Sequence, residues 1–575
     1  MKSFRKMTAL LLSACLLFSA LGVHGFAAGR TYGPYEYDNI AYNDPLDDEL
    51  PRSASMNGLQ KAFYNGLNAV ADGLLRVIFA LYPSPSDWKN VKEWDGSGFL
   101  PGRETYATQA APANRWRVGY GSRSIIPDDF EPGKYYIGRD LSNRLAEGIL
   151  DDNRVRAAAI DDGSGEGLVI FAVADALGVT RADTIAVREN VLAWAQEENI
   201  KIASINLSAT HSHSAIDAQG VATEAIYKLL TSGFKNALHI RKDKKLENAE
   251  RFKAYYLNAV TEAMEDAVRD MRTGTLSYAK VDTSKYSHDK RGLIRPGDLP
   301  QAAAFKFIPD DGSAGIYMAD IACHPTSFSA SNGLFSADYI AYMEQRVEEK
   351  TGCRFLFMQG ASGQVSRHNV GVDESKLPEE ERLGAETRYM GKVFADTILS
   401  ARMEELPAVL NARHTQFMFA PTNYLLALAV KAQLVNDQVY TDRMGLRLHV
   451  VLEEGYVELG GRVGLCLFPV ELYPEVFIGT KTMADGNYAS ISWAGGDWTC
   501  PVPAELAPRD GIDMFAVHLC NDSLGYCVPD NNFAFFGHII GDEIADEVLS
   551  LGKPTASTIV TGFRNLMDEV KKSAQ

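Results

Sequence analysis

Residues 167–214 read GLVIFAVADALGVTRADTIAVRENVLAWAQEENIKIASINLSATHSHS, and the succession of apolar runs in them decides the fold class. GLVIFAVAD (167–175) is a short, nearly continuous apolar run, the pattern of a strand buried on both faces. Residues 181–199 then mix polar and apolar positions as a helix does, and KIASINLSA (201–209) returns to strand. The second strand leads straight into two histidines one residue apart, His211 and His213. Metal ligands, a proton carrier and a plain polar turn are all open readings of that pair by itself.

The alternation continues downstream. LSYAKVD (276–282), AAFKFIP (303–309), GIYMADIAC (315–323) and CRFLFMQGA (353–361) read as strands. Helical patterns cover 247–271, 335–349 and 386–403, and another helix follows Glu471. Strand signals dominate 408–468, including the hairpin-like LHVVLEEGYVELGG (448–461). Apolar strands separated by helices predict an α/β fold, with mixed β-sheets flanked by helices in one large domain over 115–575. Residues 29–114 precede it as an N-terminal extension. Within them Leu59, Phe63, Leu67, Val70, Leu74, Val77, Ile78 and Leu81 fall three or four apart, which predicts an amphipathic helix over about 58–82. Interspersed polar residues keep that helix from spanning a bilayer, and it either packs on the main domain or touches a lipid surface.

Composition narrows the function. The 575 residues are 46% hydrophobic and 23% charged, ordinary values for a folded chain. A net charge of −17 excludes the basic face that nucleic-acid binding needs and disfavours electrostatic adhesion to anionic membranes. Lys2, Arg5 and Lys6 precede an apolar run that ends in small residues near Ala27 and Ala28, so residues 1–28 read as a secretory signal peptide. The alternative is a lipoprotein anchored at Cys15, and either reading predicts an extracellular protein. Removing Cys15 from the seven cysteines leaves six without any CxxC spacing, which disfavours a zinc ribbon and leaves buried thiols or one or two disulfides.

Chemistry in such folds collects where strands end. The strands here end at SATHSHS, at His324 in YMADIACHPTS, at a small-residue loop carrying Ser366 in RFLFMQGASGQVSRHN, at Glu471 in GLCLFPVELYP, and at Tyr526 in FAVHLCNDSLGYCVPD. Histidines with one carboxylate and an open position are what catalytic zinc uses. Each element alone is weak, since a strand-end histidine or a Pro-x-Glu helix start is commonplace.

Taken in order, the elements resemble the neutral, non-lysosomal ceramidases, a family of secreted or membrane-associated zinc amidases. THSHS (210–214) resembles the family's Thr-His-Thr-His-Ser, HPTS (324–327) its His-small-Thr-Ser, and SADY (336–339) its Ser-Gly-Asp segment. GQVSRHN (363–369) echoes Gly-Asp-Val-Ser-Pro-Asn, PVE (469–471) the Pro-x-Glu, and NDSLGYCVP (521–529) the tyrosine turn. The resemblance implies one zinc ion held by His211, His324, Glu471 and Tyr526. It also implies catalytic roles for His213 beside the reacting bond, Ser366, Tyr526 and Arg291, the last in KYSHDKRGLI where the family has an Asn-Arg segment. The implied activity is hydrolysis of a linear amide in a small-molecule or lipid N-acyl substrate. Three departures bear on the substrate: Gln364 and Arg367 replace the family's acid and proline, AIDAQ replaces a Gly-Pro-Gly turn, and no room remains for an immunoglobulin-like C-terminal domain. The alternatives are therefore a zinc hydrolase of a different N-acyl compound or ester, or a non-catalytic member that binds lipid or carbohydrate.

Overall fold

The structure is a computed structural model. It describes residues 58–574 except 83, 86–87, 140–143, 222–243, 291–293, 295–298, 329–331, 369–371, 373–376, 379–381, 432–437, 443, 480–505, 531–532 and 534–545. Residues 1–28, expected from the sequence to be a signal peptide, and Cys15, Cys500 and Arg291 therefore lie outside the described residues.

Eight long strands form the larger sheet: β1 (Trp116–Ser124), β2 (Arg154–Asp161), β3 (Leu168–Ala174), β4 (Ile202–Ala209), β5 (Arg272–Val281), β6 (Ala302–Pro309), β7 (Ile316–Ile321) and β8 (Arg354–Gln359). Their order is β8-β7-β6-β5-β1-β2-β3-β4, with the short Glu404–Glu405 strand beside β5. The β3–β4 and β7–β8 pairs are parallel and the other long neighbours antiparallel. A smaller sheet contains Lys89–Asn90, β9 (Leu410–Phe419), β10 (Val439–Thr441), β11 (Leu448–Leu459), β12 (Val463–Leu467) and β13 (Asp513–Val517).

Strand alternation explains why two sheets stack. On β3, Leu168, Ile170 and Ala172 face one core while Val169, Phe171 and Val173 face another, because successive side chains point to opposite sides. The second of these cores is shared with Val457, Leu465, Leu467 and Val517 of the smaller sheet, so it lies between the sheets. Helices α2 (Arg181–Glu197) and α3 (Lys244–Arg269) cover part of the outer face of the larger sheet through Val187, Val191, Tyr256 and Met264. The rest is covered by α4 (Tyr339–Thr351) and α5 (Ala385–Leu399) through Met343, Val347 and Phe394. Gly121 of β1 permits this close seating, since a Cβ there would lie 2.0 Å from the Ala263 carbonyl oxygen of α3. The outer face of the smaller sheet is covered by α1 (Gly58–Leu81), α6 (Tyr424–Lys431) and α7 (Thr555–Ser573). The layers run helix, sheet, sheet, helix, an α/β architecture with mixed sheets as the sequence predicts.

Helix α1 forms where its pattern places it, but its apolar stripe is split. Ile78 is buried with Leu75 and Phe79, which lie off the predicted stripe, whereas Val70, Val77 and Leu81 are exposed. The helix carries two apolar arcs, and periodicity cannot tell which arc docks. Among the described residues no helix is long and apolar enough to cross a membrane. Cys323, Cys353, Cys466 and Cys520 are buried free thiols, and Cys527 is buried as well.

One segment positions the site. β4 and β8 are the two ends of the larger sheet, yet residues 518–521, which continue β13, hydrogen-bond to both. The His518 amide donates to Gln359 O (3.0 Å) at the end of β8, and the Asn521 amide donates to Leu207 O (2.6 Å) on β4. The Leu519 and Cys520 amides donate to Val470 and Phe468, in the segment that follows β12 of the smaller sheet (3.2 and 2.9 Å). The larger sheet is thus coiled until its ends nearly meet, and the strand tails gather at that seam.

Candidate metal centre

His211 follows β4 with φ +65°, a left-handed conformation that non-glycine residues seldom adopt. The two imidazoles therefore do not converge as alternate side chains of an extended strand would. Convergence comes from a turn: the Thr210 amide donates to Ala174 O (2.9 Å) and the His213 amide to Pro325 O (3.3 Å). The Ser212 hydroxyl donates to Ser336 O (2.8 Å), pinning the loop to the entrance of α4.

His324 leaves β7 on a loop held from three sides. Its amide donates to Val365 O (2.8 Å), and the preceding Cys323 carbonyl accepts from Tyr339 OH (2.6 Å) and Gln359 Nε2 (2.9 Å). The SADY segment supplies Asp338, which caps α4 at the Tyr339 amide (2.7 Å) and accepts the Ser327 amide (2.8 Å). Glu471 sits on a two-residue strand after β12, paired in parallel with Tyr526–Cys527 so that Glu471 and Tyr526 are direct neighbours.

These elements bring three acceptor atoms together in a buried space. His211 Nε2 and His324 Nε2 are 3.0 Å apart, and Glu471 Oε1 lies 3.2 and 3.0 Å from them. Both Nδ1 atoms face carbonyl oxygens, Leu177 O at 2.6 Å and Ser362 O at 2.9 Å. A carbonyl only accepts, so each Nδ1 carries the proton and each Nε2 presents a lone pair. Glu471 Oε1 is buried and accepts no hydrogen bond despite its two close neighbours. Converging lone pairs and a carboxylate repel unless a cation lies among them, and a backbone carbonyl behind each imidazole is the usual support for a metal-bound histidine. The residues present fit a divalent metal with nitrogen and oxygen donors.

His213 Nε2 is 3.3 Å from His211 Nε2, and the three histidine donors lie within 4.8 Å of one another. Burial pushes the His324 imidazole down to about 4, against the opposing pull of Glu471, so it is neutral at physiological pH and free to ligate. Burial disfavours the Glu471 anion, but the closeness of His211 and His324 outweighs it and holds the carboxyl below the ordinary range.

Ser366 stands beside His324, the two forming a parallel bridge, and its buried hydroxyl has no hydrogen-bond partner. Gln364, where the resembled motif has an acid, donates to Asp546, which also accepts from Tyr473 OH. A carboxylate from the chain's C-terminal region thus stands beside the position where the motif lost one. Arg367 pairs with Glu386 (2.9 Å) and Ser327 Oγ (3.0 Å), so its charge is directed away from Ser366. The structure gathers His211, His213, His324, Ser366, Glu471 and Tyr526, with Arg291 outside the described residues. Sequence reading passed over His518, Ser362 and Asp546. His518 is fully buried with its ring centroid 6.1 Å from that of His211, and burial drives its basicity far down. Its only signal was its place at the end of an apolar strand.

No family sequence model and no curated protein matches this chain by sequence. Solved structures do match by shape. Neutral ceramidase from Pseudomonas aeruginosa aligns with a TM-score of 0.56 at 18% identity, over 80% of this chain and 75% of that one. A ceramidase complexed with C2 aligns with a TM-score of 0.55 at 16% identity, over 80% and 76% of the two chains. The likeness shows that the fold is the neutral ceramidase fold.

Proposed function

We propose that this protein is an exported, zinc-dependent amidohydrolase that cleaves the N-acyl bond of a sphingolipid or another N-acyl lipid. The observation that supports it best is the meeting of His211 Nε2, His324 Nε2 and Glu471 Oε1 within 3.2 Å, each imidazole oriented by a carbonyl, in a ceramidase fold. Zinc would be held by these three side chains with Tyr526, and it supplies Lewis acidity toward a carbonyl together with an acidic water near neutral pH.

The chain's own residues account for the rest of the hydrolysis. His213, one imidazole removed from the proposed ligands, passes a proton to the leaving amine nitrogen. Tyr526, the strand partner of Glu471, stabilises the oxyanion in this reading, a role typically worth about 3–4 kcal/mol per donor. Ser366 positions the substrate with its unpartnered hydroxyl. Burial of the histidines keeps bulk water from competing for these contacts.

The test is a substrate panel on purified protein of known zinc content: N-acyl sphingosines, N-acyl amino acids, and esters of matched chain length. Hydrolysis of an N-acyl substrate that stops on chelation and returns with zinc is expected. Activity unchanged by complete zinc removal overturns the mechanism, and bound zinc without hydrolysis of any panel member points to a lipid- or carbohydrate-binding protein. Amino-terminal sequencing of the exported form, expected to begin after Ala28, tests the extracellular assignment.

A further inference from the structure

We infer that His518 is a positioning residue that couples the two sides of this metal centre, holding the Glu471 strand and the His324 loop in one geometry. The inference rests on the metal reading of the site.

His518 is fully buried at the end of β13, with its own amide anchored to Gln359 O (3.0 Å). Its Nδ1 accepts the amide of Leu472, the residue after Glu471, at 3.1 Å. A backbone amide only donates, so Nδ1 carries the lone pair and Nε2 carries the proton. Nε2 in turn faces Ser362 Oγ at 3.4 Å. Ser362 also receives Gln359 Nε2 on that hydroxyl (2.7 Å), and its carbonyl orients the His324 ring (2.9 Å). The Gly363 amide closes the link by donating to Leu472 O (2.9 Å).

His518 therefore lies close to the converging donors without being one of them, because its Nε2 proton points at Ser362. One face of the ring fixes the backbone beside Glu471 and the other fixes the residue that orients His324. Removing the ring leaves a buried Leu472 N–H without an acceptor and leaves the Ser362 hydroxyl held by Gln359 alone, so both ligands lose register together. Outer partners of this kind typically carry a 10–100-fold share of metal affinity.

The experiment measures zinc dissociation constants by competition with a chromophoric chelator, and cobalt absorption spectra, for the full chain and for His518→Ala, His518→Asn and Ser362→Ala. Asn can still offer an oxygen to the Leu472 amide but cannot reach Ser362. The inference expects zinc affinity roughly 10–100-fold weaker in His518→Ala, a smaller loss in His518→Asn and Ser362→Ala, and a shifted cobalt spectrum in all three. Thermal melts of the metal-free proteins separate this loss from unfolding. If His518→Ala does not fold, the other two variants carry the test. Wild-type affinity and spectra in folded His518→Asn and Ser362→Ala overturn the inference while leaving the metal centre intact. A wild-type chain that takes up no zinc overturns the metal centre and this inference with it.

Discussion

Replacing His324 by alanine tests the metal centre most directly. The residue contributes one of the two imidazole lone pairs that meet Glu471 Oε1, at 3.0 Å. Zinc bound by four protein ligands is worth about 10–16 kcal/mol, so an equal share gives roughly 2.5–4 kcal/mol per ligand. Losing one share weakens binding by about 10²–10³-fold. The matched control is His213→Ala. His213 touches His211 Nε2 at 3.3 Å, and in its proposed role as proton carrier its loss should leave zinc stoichiometry near one ion while amide turnover falls by about 10²–10⁴-fold. Zinc content after dialysis at fixed free metal reads the first effect, and turnover under zinc saturation reads the second. Stoichiometric, tightly held zinc in His324→Ala would refute the ligand assignment. Zinc loss in His213→Ala equal to that in His324→Ala would show that His213 is a ligand rather than a proton carrier.

Other substitutions read the scaffold. Burial pushes the His414 imidazole down to about 4, so between pH 6.5 and 4 the unfolded chain takes up a proton that the folded chain refuses. Stability should then fall by about 3 kcal/mol on acidification across that window, and His414→Gln should flatten the slope in denaturant titrations at several pH values. Glu454 is buried with both carboxyl oxygens unpartnered, and burial raises its pKa well above the usual range. Above about pH 4.5 the unfolded state sheds a proton that the folded state keeps, so Glu454→Leu should stabilise by about 1–3 kcal/mol at neutral pH, with a gain that grows as pH rises. Gly525 holds φ +83° and a Cβ there would lie 1.8 Å from Leu549 O, while its carbonyl accepts the Glu471 amide at 2.8 Å. Gly525→Ala should cost roughly 2 kcal/mol or more in thermal melts and weaken zinc binding as well; an unaltered melting temperature would contradict the placement of the Tyr526 turn.

The legible parts of this molecule are those whose information is local. Apolar runs such as 168–174 and 202–209 announce strands because burial on both faces demands continuous apolar residues, and the structure forms strands over those spans. His211, His324 and Glu471 were recognisable because each ends a strand and has characteristic neighbours. Two things were not local. The split of α1 into a docked arc (Leu75, Ile78, Phe79) and an exposed one (Val70, Val77, Leu81) depends on what lies across from it. His518 has no motif around it, and its importance comes from hydrogen bonds to residues 46 and 156 positions away.

The distribution of backbone strain argues the same point from the other direction. Among the described residues five non-glycines have positive φ: Asn199, His211, Asp338, Leu519 and Asn521. Asn199 follows a helix end, where such a conformation is routine. The other four surround the metal centre. His211 is a proposed ligand, Asp338 anchors the His324 loop through Ser327, and Leu519 and Asn521 let the chain turn from one sheet to the other within four residues. Each such conformation costs of order 1–3 kcal/mol, and each persists here because hydrogen bonds from two directions hold it. A merely structural seam between two sheets could be joined by an unstrained loop. Strain concentrated after β4, at the entrance of α4 and after β13 is what an arrangement requires when it must bring lone pairs from three strand ends to within 3.2 Å of one another.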